Sequence, residues 1–258
     1  MQAFRFFSKA VTPTLVAGKP QSLWALAGMP GAGGFNTTLN GVILSGSSSQ
    51  VAGQIPFADP GAGNTYLARL QAMATIPGVL LLVDRLWHNG GFTITSTSPQ
   101  AITSPTWPAR DNAGTTNGDG VLLGLEISAA AGAAAPTISV SYTNQAGTAS
   151  RTGANINPTA NSPAAGSIFL LGLQSGDTGV RSVQSLTLNA SWLSGTMNLF
   201  AYRVLATLEL TANNTPNAVD LITAGFARMY NGTVPMLIFI PSTTTASNIS
   251  GQVGWTQG

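Results

Sequence analysis

From residue 78 to the C-terminus, apolar side chains recur at every second position in short runs, and Gly, Asn, Pro or Ser turns separate the runs. Alternation of period two with β-branched enrichment marks half-buried strands. The segments it picks out are 78–86, 91–97, 120–128, 137–143, 148–152, 167–173, 180–192, 196–210, 235–241 and 250–256. That many short strands at close spacing predict an all-β chain, folded as an antiparallel β-sandwich or jelly roll. Two joins read as hairpins: "SVSYTNQAGTASRT", turning at its polar NQAG, and "LTLNASWLSGTMNLFAY", turning at LSGT. The inward positions of these strands predict a core containing Leu80, Leu82, Leu123, Leu125, Val140, Leu170, Leu186, Leu188, Val204, Leu208, Leu237 and Phe239.

Other stretches depart from this period. Asn64 offers an N-cap to "TYLARLQAMAT", where Leu67, Leu70 and Met73 or Ala74 recur at i, i+3 and i+7, so one short helix is predicted over 64–76, ending before Pro77. In "TPNAVDLITAGFARMYNG" (215–232), Val219, Ile222 and Phe226 share a helical face that Gly225 breaks, which predicts a helix-like loop. Residues 1–63 are rich in Gly, Pro, Ala and Ser, with large apolar residues only at isolated positions. Such a stretch is too apolar for a disordered linker and too sparse for its own core. It is expected to be an extended arm lying on the main domain or a neighbouring subunit, with Trp24, Leu26, Phe35 and Phe57 as its contacts. The domain plan is therefore an arm at 1–63 and a β-sandwich at 64–258.

Charge narrows the function classes. Ten Lys and Arg and eight Asp and Glu make up 7% of the chain, against about 25% in an ordinary soluble domain. The basic residues are scattered singly, and a net charge of +2 without a basic cluster argues against a nucleic-acid partner. A surface covered by Ser, Thr, Asn, Gln and Gly suits contact with neighbouring copies better than solubility through charge. There is no cysteine, which excludes disulfides and thiolate chemistry. Arg5 and Lys9 interrupt the apolar residues of the N-terminus, and Asp84 and Arg85 stop "IPGVLLLV", so neither a secretory signal nor a membrane-spanning helix is expected.

The chain's only histidine is His88, in "LLLVDRLWHNGGF", close behind Asp84 and Arg85. A Ser-His-Asp site would have to be built on it. The alternative is a buried strand whose polar end carries Asp84 and Arg85, with "WHNGG" turning into 91–97, since Asn-Gly has tight-turn chemistry. The second reading is adopted, and no catalytic residue is assigned. "NAGTTNGDG" (112–120) lacks the alternating acids of a calcium loop. "GMPGAGG" (28–34) lacks the strand, helix and Lys-Ser/Thr of a phosphate loop. Glu126 and Glu209 lie on predicted strands among apolar neighbours and make a poor glycosidase pair. No metal ligand set and no cofactor is expected. Trp87, Trp107, Trp192 and Trp255 leave a saccharide-binding module as a minor option. Asp177, in the Gly-bounded turn of "QSGDTGVRSVQS", is placed to pair with Arg181 as a structural turn clasp.

"LQSGDTGVRSVQSLTLNAS" (173–191), preceded by "SYTNQAGTASRT" (141–152) and followed by "ITAGFARMYNGTVPMLIFIPSTTTASNISGQV", resembles the β-rich virion structural proteins of tailed bacteriophages. The resemblance spans roughly residues 78 to 258. It implies a non-enzymatic building block present in many copies, assembled in the host bacterial cytoplasm and carried on the virion. With no repeats and no elongated stalk in the sequence, the expectation is a capsid decoration or cement protein on the capsid exterior. Its partners would be the major capsid protein and copies of itself in a homotrimer; a tail or neck component is the alternative.

Overall fold

The computed structural model describes residues 3–46, 50–60, 62–156 and 162–258. The other residues of the predicted arm, 1, 2, 47–49 and 61, lie outside the described residues. The strands are, in chain order, β1 (Ala3–Lys9), β2 (Gln21–Ser22), β3 (Gly28–Met29), β4 (Val42–Ile43), β5 (Thr65–Ala74), β6 (Gly78–Asn89), β7 (Gln100–Ala101), β8 (Val121–Ala129) and β9 (Ile138–Asn144). There follow β10 (Arg151–Asn155), β11 (Ile168–Gly172), β12 (Val180–Leu188), β13 (Thr196–Leu210), β14 (Asn217–Asp220), the single-turn helix α1 (Leu221–Ala224), β15 (Arg228–Met229), β16 (Pro235–Pro241) and β17 (Ile249–Gln257). The chain is an all-β antiparallel sandwich. Its backbone divides into two compact units, one of residues 1–34, 45–84 and 204–258, the other of 35–44 and 85–203.

In the first unit, one sheet has the order β14-β5-β17-β1-β3, with β15 also paired to β5. A second layer contains β2, β16 and the first half of β6. Between them lie Phe7, Leu67, Leu70, Leu80, Leu82, Leu208, Leu237, Phe239, Val253 and Trp255. In the second unit the order is β13-β8-β11-β10-β9-β12-β7, around a core that includes Leu123, Leu125, Val140, Tyr142, Phe169, Leu186, Leu188, Trp192 and Leu199. The predicted core residues are buried except Leu170 and Val204, which are half-buried.

The helix expected at 64–76 is strand β5. Its ladder with β17 shifts register between Leu67↔Trp255 and Arg69↔Gly254, leaving Ala68 as the extra residue of a bulge. The inward positions therefore run Thr65, Leu67, then Leu70, Ala72, Ala74. The three-residue step across the bulge imitates the i, i+3 spacing of a helix. The one helix among the described residues is α1, capped by Asp220, whose side chain accepts from the Thr223 amide at 2.9 Å. The face expected at Val219, Ile222 and Phe226 does not form: Ile222 is exposed and Phe226 buried.

The first hairpin exists, with Arg151 opposite Tyr142 across β9 and β10. The second does not. Residues 189–195 lead from β12, which pairs with β9 and β7, to β13, which pairs with β8. The turn expected at "WHNGG" is also corrected: β6 runs on through Asn89, and 91–97 is not a strand. Val42 and Ile43 of β4 supply the pairing for His88 and Trp87, which keeps the strand extended. Gly90 follows because a Cβ there would collide with the Asn36 carbonyl oxygen.

Much of the predicted arm is woven into the chain's own sheets. All seven residues of β1 pair with β17, from Ala3↔Trp255 to Lys9↔Ile249, and β2 pairs with β16. Trp24 is buried and donates its ring N–H to the Gly34 carbonyl at 2.8 Å. Phe57 is buried edge-on to Trp255, their centroids 5.4 Å apart. Leu26 and Phe35 are half-buried. Trp24 and Phe57 thus need no second chain to cover them.

Candidate functional site

Strand β6 sends Asp84 and Arg85 to opposite faces, as neighbours in a strand must go. Asp84 accepts from the Val234 amide at 2.9 Å. Arg85 Nη1 meets Glu126 Oε2 at 2.8 Å, with both side chains fully enclosed, and its guanidinium lies 4.8 Å from the centre of the Phe200 ring. Arg85 Nη2 is 3.3 Å from His88 Nδ1. Arginine can only donate, so that nitrogen accepts and carries no proton. Burial, and after it the neighbouring Arg85 charge, push the His88 pKa down to about 3. A neutral imidazole held against a guanidinium is no proton shuttle near neutral pH. Arg110, also buried, donates to the carbonyls of Leu44 and Arg85 at 3.0 and 3.3 Å. Glu126 is thus an ion-pair partner, whereas Glu209 is exposed on β13.

The clasp expected between Asp177 and Arg181 is made by another arginine. Asp177 Oδ2 accepts from Arg151 Nε at 2.9 Å and from the Tyr142 hydroxyl at 2.6 Å, and Oδ1 accepts from Asn144 Nδ2 at 2.6 Å. Arg151 also donates to the Ser175 carbonyl at 3.0 Å. The register of the β9–β10 hairpin sets Tyr142 and Arg151 side by side, so both reach the 174–177 turn. The Arg151 hydrogen bond, helped by those from Tyr142 and Asn144, holds the Asp177 carboxyl down to about 2 against the upward effect of burial. Burial and the hydrogen bond to Asp177 raise the Tyr142 hydroxyl. The NQAG hairpin register carried the signal for Arg151 in the sequence.

Arg181 instead stands exposed at the start of β12, where Val180 faces the core. It lines a polar cleft of 340 Å³ together with Ser104, Thr106, Thr116, Thr143 and Ser182. Beside it, residues 111–120 are organised around the buried Asp111. One carboxylate oxygen accepts from the amides of Ala113 and Thr115, the other from the Thr115 hydroxyl and the amides of Gly118 and Asp119. Burial raises the Asp111 carboxyl, but these bonds outweigh it and hold it below its ordinary value.

Trp87, Trp107, Trp192 and Trp255 are all buried, so none offers a stacking platform to a saccharide. Trp87 and Trp107 pack on each other, with centroids 5.5 Å apart. Buried Lys9, which the sequence did not single out, donates from Nζ to the carbonyls of Leu26 and Pro30 at 3.1 and 2.9 Å. Burial lowers its pKa to about 8.

The first unit leaves apolar side chains in solvent on its β1, β3 and β5 face: Phe6 is 64% exposed, Met29 54%, Phe4 40% and Met73 40%. Phe6, Met29, Met73 and Pro216 line an open groove of 510 Å³ whose polar members include Gln71 and Gln252.

No protein-family model and no curated protein matches the chain. Among solved structures, the VP2 subviral particle of infectious bursal disease virus aligns at 8% identity and a TM-score of 0.18, over 99% of this chain and 80% of that one. A likeness that slight carries no argument about fold or function.

Proposed function

We propose that this chain is a non-enzymatic structural protein of a tailed-bacteriophage virion, serving as a capsid decoration or cement protein. In this reading it assembles in the host cytoplasm and binds the major capsid protein from the capsid exterior as a homotrimer. The observation that carries the reading is the exposed apolar face at Phe4, Phe6, Met29 and Met73. A contiguous apolar patch that none of the described residues covers is characteristic of a protein–protein contact. The sparse charge agrees, because a chain with 7% charged residues depends little on charge repulsion for its behaviour. The neutral, enclosed His88 supports a non-enzymatic role.

The test is copy number in purified particles, measured by quantitative mass spectrometry, with Phe6→Ser and Met73→Ser variants alongside. Copies on the order of hundreds, scaling with the capsid lattice, and loss of loading in the folded variants are the expected result. A few copies fixed to the tail would overturn the decoration reading in favour of a tail or neck component.

A further inference from the structure

The cleft at Arg181 carries hydrogen-bonding capacity that the protein does not use. Arg181 is the one charged residue among those lining it. Asp177, the acid nearest in sequence, is occupied by Arg151, Tyr142 and Asn144. Among the described residues, the guanidinium of Arg181 and the hydroxyls of Thr106, Thr116 and Thr143 make no side-chain hydrogen bond. Ser104 Oγ, on the same wall, is enclosed and has no partner either. The Ser182 hydroxyl accepts from Gln184 at 2.9 Å and keeps its own proton to donate. Gly147, at φ +83°, leaves room for the arginine: a Cβ there would stand 3.2 Å from Nη1.

We propose that this cleft binds a small ligand bearing one carboxylate on a hydroxyl-rich frame, an acidic monosaccharide in chemical class. A planar guanidinium pairs with a carboxylate through two parallel N–H donors. Side-chain hydroxyls, each donor and acceptor at once, match the alternating hydroxyls of a sugar ring. The volume, 340 Å³, lies at the lower end of ligand pockets, about 300 to 1,000 Å³, and so suits a single ring. One guanidinium balances one carboxylate and leaves a doubly charged phosphate half-compensated. The cleft's position, in the unit that does not contain the exposed apolar face, makes the two surfaces separately testable.

The experiment titrates the full-length protein with D-glucuronate, D-glucose and inorganic phosphate, following backbone amide shifts by NMR. Glucuronate is expected to move resonances at 104, 106, 116, 143–147 and 181–182 with a Kd of about 1 mM. Arg181→Gln is expected to weaken it by roughly tenfold or more, and Arg181→Lys by less. Glucose at equal concentration should leave these resonances in place. Phosphate binding as tightly as glucuronate would reduce the site to an unspecific anion contact and overturn the sugar assignment. Equal response to glucose, an unchanged affinity in Arg181→Gln, or no response at these residues would overturn the proposal altogether.

Discussion

Arg85 and Glu126 face each other with no exposed side-chain surface and a single 2.8 Å contact. Glu126 Oε1 has no hydrogen-bond partner among the described residues. Removing one member of such a pair leaves a charge stranded in a low-dielectric interior, which costs about 3 to 5 kcal/mol. Glu126→Leu and Arg85→Met are each expected to fall in that range. The double variant removes both charges and also the unsatisfied oxygen, so it should lie within about 1 kcal/mol of the parent or above it. The singles together would cost at least about 6 kcal/mol and the double at most about 1, so the coupling between the two sites is at least about 5 kcal/mol, large for residues in contact. Urea unfolding followed by tryptophan fluorescence reads this directly. With a slope of about 3 kcal/mol per molar, each single variant should lower the midpoint by about 1 M or more while the double stays near the parent. Single variants costing less than about 1 kcal/mol, as exposed pairs do, or effects that simply add, would refute the argument that burial dominates this pair.

The His88 imidazole, lowered to about 3, should show flat ring-carbon shifts from pH 8 to 5. The unfolded chain binds the proton first, so its stabilising contribution is whole above about pH 6.5 and fades toward pH 3; an inflection near 6.5 would contradict the burial argument. Asp177, lowered to about 2, contributes stability that is complete above its ordinary value of 3.8 and lost as the pH falls toward 2. Asp177→Asn should therefore flatten the melting-temperature profile between pH 4 and 2, and a profile parallel to the parent's would defeat the assignment. Asp111→Ala frees the Gly118 amide, which follows Asn117, to attack the Asn117 side-chain carbonyl carbon and expel ammonia. Water then opens the succinimide. Peptide mass analysis should find aspartate or isoaspartate at 117 accumulating several-fold faster than in the parent, and equal rates would show that Asp111 does not guard the loop.

Period-two alternation and turn residues determined most of this fold by themselves. The bounds of β13 and β16 follow from them directly, and most of the predicted core residues are buried, because a strand with one face inward must alternate locally. Tertiary pairing decided the rest. The Ala68 bulge is a property of the ladder with β17, and without that partner the sequence 65–74 reads as a helix. Only β4, pairing at Val42 and Ile43, turns "WHN" from an expected turn into strand and closes His88 against Arg85. The NQAG hairpin was legible because its strands are adjacent in sequence, but Arg151 and Arg181 are chemically alike and the sequence favoured the nearer one. Register across β9 and β10 gives Asp177 to Arg151 and leaves Arg181 to line the cleft. Local alternation fixes which side of a strand a residue takes; what it meets there depends on strands far away in the chain.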